Sequence, residues 1–303
     1  MSNPQEETLK KIDKLKTENT KTKNKSFKSD AIRRFKQSPT GIIGLIIIAL
    51  FLFIAVFGPY ITPHDPFDQD ISKSHDPPSL EHPMGNDFLG RDVFSRVIYG
   101  SRISVFVGVT VILIRMLIGI PIGLISGYYG GIVESILMRI VDAVIAFPGI
   151  ILALAIMAAR GQGLENVILA LSVTGWTTFA RLVRSEVLSL REREYIQAAR
   201  GVGFHDIKVM VRHILPNCMA SIIVYSTMTI AVVIIAEASL SFLGLGAGAE
   251  QVTWGIQMSM EREYLRYAWW GVTFPGLAIA TIVLGFNLLG DALRDVLDPR
   301  LKE

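Results

Sequence analysis

The sequence predicts an all-α membrane protein with six transmembrane helices, and three observations carry that prediction. Half of the 303 residues are hydrophobic and mean hydropathy is positive. The apolar residues gather in runs long enough to cross a hydrocarbon core of about 30 Å at about 1.5 Å per residue. Between two of these runs lies a charged, glycine-containing stretch of soluble character, residues 194–217.

Residues 41–61 contain no charged side chain, and residues 103–126 contain only Arg115. Residues 217–243 and 271–289 are comparably apolar, and each reads as a span. Residues 132–159 carry Glu134, Arg139 and Asp142 in their first half, and residues 164–182 are diluted by Ser172, Thr174, Thr177 and Thr178. These are the third and fourth spans. Pro148 and Gly149 should kink the third and leave backbone carbonyls free toward an interior cavity.

Lys and Arg in short flanks resist translocation, so their distribution sets orientation. With the N-terminus inside, the tail, the 183–216 loop and the C-terminal end hold most of these cations. The 62–102 loop carries Asp65, Asp68, Asp70, Asp76, Glu81, Asp87 and Asp92, more acids than bases. Both termini and the 183–216 loop are therefore expected on the cytoplasmic face of a multi-pass cell-membrane protein. Residues 1–34, rich in Lys, Thr, Asn and Glu, read as a disordered basic cytoplasmic tail that could touch anionic membrane lipid. Residues 35–102 comprise the first transmembrane helix and an extended, Pro-rich extracytoplasmic loop, and residues 103–303 a core of five transmembrane helices. The apolar run behind the tail is too long for a signal-peptide core. Within GRDVFSRVIYGSRIS, Val93, Val97 and Ile98 suit a short helix lying at the outer surface. With Cys218 the only cysteine, no intrachain disulfide forms.

The 194–217 stretch, EYIQAARGVGFHDIKVMVRHILPN, reads as a helical hairpin: a helix over about 191–200, a glycine turn, and a helix over about 205–215 that ends where Pro216 opens the next span. Ala198, Ala199, Gly201 and Gly203 keep the bend small enough for another protein to approach its backbone, and Gly accepts the positive φ of a sharp turn. The pattern resembles the EAA loop of ABC importer permeases: Gln197, Ala198 and Ala199 are followed at the family spacing by Gly203, Leu215 and Pro216. Gln197 stands where the family has Glu and keeps hydrogen bonding without charge, and His213 replaces Ile.

Further segments resemble the permeases for oligopeptides, dipeptides and nickel, in particular the C-type half of their heterodimer. They are MGNDFLGRDVFSRVIYGSRIS (84–104), GYYGG (127–131), FARLVRSEVLSL (179–190), EASLSFLGLG (237–246) and FNLLGDALRDVLDPRL (286–301). The resemblance implies a type I importer fold of six helices, paired with a second permease subunit. Two cytoplasmic ATP-binding subunits and an extracytoplasmic solute-binding protein would complete the importer. It also implies that Gln197, Ala198, Ala199, Gly201, Gly203 and Phe204 dock into an ATPase groove, with Phe204 as apolar anchor. The chain has no G-x-x-x-x-G-K-[S/T] loop and no Gly-Lys pair, so ATP hydrolysis belongs to another subunit and the chain is not an enzyme by itself.

Charged groups at bilayer depth face protein or water. Arg115, near mid-span, is a pathway group or the partner of a carboxylate. Arg139 and Asp142, three apart on one helix, have the spacing of an intrahelical ion pair. Glu237 falls near the outer boundary, where it lines an outer gate or caps or pairs with an external Arg; Ser241, Gly244 and Gly246 then suit a helix end. Trp254, Trp269 and Trp270 read as an outer aromatic belt. His64, His75 and His82 share the outer loop, but their spacing matches no ligand pattern, so no metal site is expected; His205 and His213 lack an H-E-x-x-H frame. No cofactor and no nucleic-acid partner are expected. The function expected is peptide translocation as an ABC importer permease. A nickel or other small-solute importer of the same family is the nearer alternative, and an ion-coupled secondary transporter, which needs a midplane ion site, the more distant one.

Overall fold

The computed structural model describes residues 32–248 and 250–297. The basic tail expected over residues 1–34 lies almost entirely outside them, as does the end of the C-terminal motif. The elements are α1 (Pro39–Ile61), α2 (Val93–Tyr129), α3 (Gly131–Ile145), α4 (Gly149–Arg160), α5 (Leu164–Arg191), α6 (Glu194–Gly201), α7 (Asp206–Phe242), α8 (Trp254–Glu261) and α9 (Trp270–Leu297). Five of these helices are long and apolar enough to cross a membrane, and α3 with α4, apolar together and bent by 79° at their junction, brings the number to six where the bent pair counts as one span. That break falls at Pro148, where the sequence predicts it, because proline cannot donate to the helix ladder.

Two expected boundaries move. The short surface helix at residue 93 is instead the first turns of α2, a single helix of 37 residues and about 55 Å. Around the expected helical hairpin, the preceding span's helix α5 continues past residue 182 to Arg191, and the hairpin's second helix, opening at Asp206, is the start of α7. Helices longer than the hydrocarbon core project beyond it. Local capping starts them: Ser38 Oγ accepts from the Gly41 N–H with Pro39 at the first helical position, and Asp92 Oδ2 accepts from the Ser95 N–H.

Apolar burial does little to drive helices together in lipid, so close packing must hold them. On α2, Gly119, Gly123 and Gly127 recur every four residues and face α5. A methyl group on Gly119 would lie 2.5 Å from the Trp176 carbonyl oxygen, one on Gly123 2.6 Å from that of Ala180, and one on Gly127 2.8 Å from Val187 Cβ. Only hydrogen fits at these three sites. The α1 face Gly41, Gly44, Ile48, Phe51, Ala55 and Gly58 packs in the same manner on α9 and α2, Gly44 against Gly285 and Gly58 against Ile98. One core joins α2, α4, α5 and α7 around Val107, Val111, Met157, Phe179 and Val233, and a second joins α1, α2, α7, α8 and α9 around Phe51, Ile234, Trp254 and Ile282.

The 62–92 segment, expected as an extended loop, is a packed lobe on α8. Arg96 donates to the Pro66 carbonyl at 2.7 Å, Arg91 pairs with Asp87 at 2.6 Å, and Glu261 accepts the Phe88 N–H at 2.9 Å, all buried or nearly so. Burial pushes the Glu261 carboxyl above its usual range, against the Phe88 N–H, which pulls it down. Gly90 has φ +73° and lies where any side chain would overlap the Asp70 carbonyl. Two of the three expected belt tryptophans turn inward, Trp254 into the second core and Trp270 against this lobe. Trp254 is buried, edge-on to Phe51, and donates to the Val97 carbonyl; Trp270 is buried and donates to the Asn86 carbonyl; Trp269 alone is exposed.

Gly123→Leu is expected to wedge α2 from α5, at about 1–3 kcal/mol or more for overpacking. Detergent-solubilised protein should lose monodispersity or unfold at lower temperature. Unchanged thermal unfolding would mean that α2 and α5 do not meet closely there.

Candidate functional site: the α6–α7 hairpin and its anchors

The hairpin turn follows from its glycine. Gly203 has φ +83°, the Phe204 N–H reaches the Ala199 carbonyl at 3.2 Å, and the Gly203 N–H reaches that of Arg200 at 2.9 Å. This pair of bonds is the Schellman closure of a helix, which requires a left-handed residue where Gly203 sits. His205 then opens α7, its Nδ1 accepting from the Ile207 N–H. Over Met210–Ile214 the helix runs as one π-type turn ahead of Pro216. Proline has no N–H to offer the Arg212 carbonyl and its ring would crowd it, so local widening lets α7 continue. α7 therefore runs unbroken through Pro216.

The hairpin is bolted to the membrane helices by residues that the sequence reading did not single out. Ile196, fully buried, sits in a cluster with Leu124, Val183, Val187, Val209, Ile214, Cys218 and Ile222, drawn from α2, α5 and α7. Tyr128, at the end of α2, donates its hydroxyl to Asp206 at 2.7 Å and accepts from Arg200 Nε at 3.2 Å, with the Arg200 guanidinium 4.2 Å over its ring. Arg191 donates to the Gly127 carbonyl at 3.1 Å. The GYYGG segment thus holds both halves of the hairpin. The available signals were Tyr128 within that segment and Ile196, a lone aliphatic among polar neighbours.

On the outward side, Gln197, Ala198, Gly201 and Gly203 are exposed and Ala199 is half-buried. A methyl group on Gly201 or Gly203 would touch nothing in this chain. Gln197 donates to the Glu192 carbonyl at 3.3 Å. Phe204, expected as the anchor, is only 38% exposed: His213 stacks on it and Lys208 lies 4.4 Å over its ring. The prominent apolar side chains are instead Val202, 77% exposed, and Ile207, 59%.

The charged residues of the spans find different partners from those expected. Arg115 donates from Nε and Nη2 to the Leu171 carbonyl, at 2.9 and 2.5 Å, in place of a carboxylate, and its guanidinium fills the space that Gly175 leaves. Glu237 is buried within the chain and accepts from Ser241 Oγ at 2.8 Å, in place of an outer gate or an external Arg. Gly244, at φ +80°, does close α7 as its position suggests. Asp142 pairs with Arg181 of α5, not with Arg139, and Glu134 pairs with Arg184. Glu134, Arg139, Asp142 and Arg184 border an open cleft of about 480 Å³ along α3.

Tyr128→Phe removes a hydrogen bond to a charged group, which contributes about 1.5–3 kcal/mol, so hydrogen exchange across residues 194–209 should quicken about tenfold or more. Exchange unchanged from wild type would show that Tyr128 does not hold the hairpin.

Comparison with known proteins places this geometry. Residues 119–303 match the family described as binding-protein-dependent transport system inner membrane component, and residues 26–78 match the N-terminal TM domain of oligopeptide transport permease C. The chain is 43% identical to the dipeptide transport system permease protein DppC of Alkalihalophilus pseudofirmus, over 90% of both chains. It is 40% identical to the oligopeptide transport system permease protein OppC of Bacillus subtilis, over 93% of this chain and 92% of that one. It is 44% identical to the glutathione transport system permease protein GsiD of Pectobacterium atrosepticum, over 89% and 90%. Among solved structures, an inward-facing MetNI methionine ABC transporter superposes with a TM-score of 0.56 at 20% identity, over 67% of this chain and 97% of that chain, which shows a shared fold. A chain whose helical hairpin stands clear of the spans on a glycine turn, and whose sequence matches these permeases along most of its length, belongs to the family of binding-protein-dependent transport system inner membrane components: it is a multi-pass ABC importer permease subunit, built to work with ATP-binding subunits and a substrate-binding protein.

Proposed function

We propose that this chain is one half of a heterodimeric permease that passes peptides across the cytoplasmic membrane, with both termini and the hairpin in the cytoplasm. The observation that carries the reading is the hairpin, rigidly tied to α2, α5 and α7 yet presenting Val202 and Ile207 to an absent surface. An ATPase closing on ATP pushes on that surface, and Ile196 and Tyr128 hand the displacement to three spans together. The Lys and Arg of the hairpin support its cytoplasmic placement. Peptide cargo rests on the relatives, which are named for dipeptide, oligopeptide and glutathione transport.

The translocation path lies along α3 and the adjoining face of α5. The Asp142–Arg181 pair is about half exposed although it sits about 15 Å along α5 from Arg191. A half-exposed ion pair at that depth requires water or a second protein beside it, not lipid. Arg115 and Glu237 instead brace helices from inside. ATP is hydrolysed by the partner subunits, and this chain supplies half of the channel wall.

Reconstituted into proteoliposomes with its partner subunits, the complex should take up labelled peptides only with ATP, at a rate insensitive to collapse of the membrane potential. Uptake that follows the potential and persists without ATP would overturn the assignment. Val202→Asp and Ile207→Asp should leave the subunit inserted and folded while reducing retained ATPase and uptake about tenfold or more, as for central interface anchors that contribute about 2 kcal/mol. Normal co-purification and uptake in the double variant would move the docking surface elsewhere.

A further inference from the structure

At the end of the molecule opposite the hairpin, three side chains far apart in sequence converge. His64 follows α1, His82 lies in the packed lobe, and Asp92 caps α2. His82 Nδ1 is 3.0 Å from Asp92 Oδ1 and His64 Nδ1 is 3.6 Å from Asp92 Oδ2. One ligand atom from each residue lies within 4.8 Å of the other two. Donors held about 2.0–2.2 Å from a tetrahedral ion sit about 3.3–3.6 Å apart, so these separations approach the edges of one coordination polyhedron. His82 and Asp92 are buried, and the His64 Nδ1 atom, also buried, has no hydrogen-bond partner. We propose that His64, His82 and Asp92 form a binding site for one divalent first-row transition ion of the zinc class.

The donor set selects the ion. Two imidazole nitrogens and one carboxylate suit zinc and its neighbours, whereas magnesium and calcium favour all-oxygen shells. Neutral His82 that presents Nδ1 to the ion carries its proton on Nε2, and the Glu81 carboxylate lies 3.7 Å from that atom. That distance is too long for a hydrogen bond, so Glu81 adds only a nearby negative charge. The Lys73 ammonium holds Glu81 nearby at 3.2 Å. Three protein donors leave the fourth tetrahedral position to water, on the side where His64 is partly exposed. The ion ties the exit of α1 to the start of α2 and to the lobe between them, so occupancy stabilises the folded chain. His75 is not part of the site; it faces Glu261 at 3.4 Å.

The test uses tag-free, full-length chain in its assembled complex, stripped with chelator and titrated with zinc chloride or nickel chloride. Calorimetry and elemental analysis should find one zinc per chain with a rise in unfolding temperature, and an excess of magnesium should not compete. Asp92→Asn keeps a good helix cap, and His64→Ala alters a partly exposed side chain, so both should remain folded. Each should weaken zinc binding at least about 100-fold, since loss of an outer-shell partner alone costs about 10–100-fold, while His75→Ala should bind as wild type does. Absence of stoichiometric zinc, or zinc retained equally by His64→Ala, would overturn the site and leave a histidine–carboxylate hydrogen bond in its place. Should Asp92→Asn unfold, His64→Ala alone decides.

Discussion

The close approach of α2 to α5 is the contact on which the rest of the structure depends. In hydrocarbon, side chains gain little by leaving lipid for protein, so two helices associate only as far as their backbones can approach. Gly119, Gly123 and Gly127 present bare backbone over three successive turns and let α2 lie against Trp176, Ala180 and Val187. That contact fixes where α5 ends, at Arg191, and where α2 ends, at Tyr129, so that Tyr128 and Arg191 meet the hairpin. A looser α2–α5 contact would leave Ile196 without its socket, and force applied at the turn would be absorbed locally.

The two ends of the molecule solve different problems with similar means. At the hairpin end, a short soluble helix must be rigid toward the membrane and available outward. Ile196 and Tyr128 supply the first property, and the Gly203 turn with Val202 and Ile207 the second. At the other end, a Pro-rich segment with many acids is made into a lobe by buried ion pairs and backbone bonds centred on Asp87, Arg91, Arg96 and Glu261. Removing one partner of such a buried pair leaves an uncompensated charge, at about 3–5 kcal/mol, so these residues hold the lobe as a unit.

Charges inside the spans divide by the direction they face. Arg115 and Glu237 turn inward, Arg115 donating to a backbone carbonyl and Glu237 accepting from a serine hydroxyl through one carboxylate oxygen. Asp142 and Glu134 of α3 pair with Arg181 and Arg184 of α5, and Asp142, Glu134 and Arg184 border an open cleft. Both groups look alike in one dimension, each a charge in an apolar run, and they differ in which face of the helix they occupy.

Local chemistry determined much of this protein. The apolar runs located the five long apolar helices and the bent α3–α4 pair because crossing a bilayer demands length and composition, both properties of contiguous residues. Pro148 placed the break between α3 and α4, and Gly203 placed the hairpin turn, because each acts on its own backbone. The family motifs likewise pointed to an importer permease. Tertiary structure alone decided the partners. Asp142 takes Arg181 rather than the nearer Arg139, Trp254 turns into the core rather than toward the interface, and Val202 and Ile207 stand further outward than Phe204. His64, His82 and Asp92 converge only when α1, the lobe and α2 are packed together. Spacing in sequence reports neighbours on one helix; these contacts join residues 10 (His82–Asp92), 39 (Asp142–Arg181) and 157 (Trp254–Val97) positions apart on different elements, and only packing brings such side chains within reach.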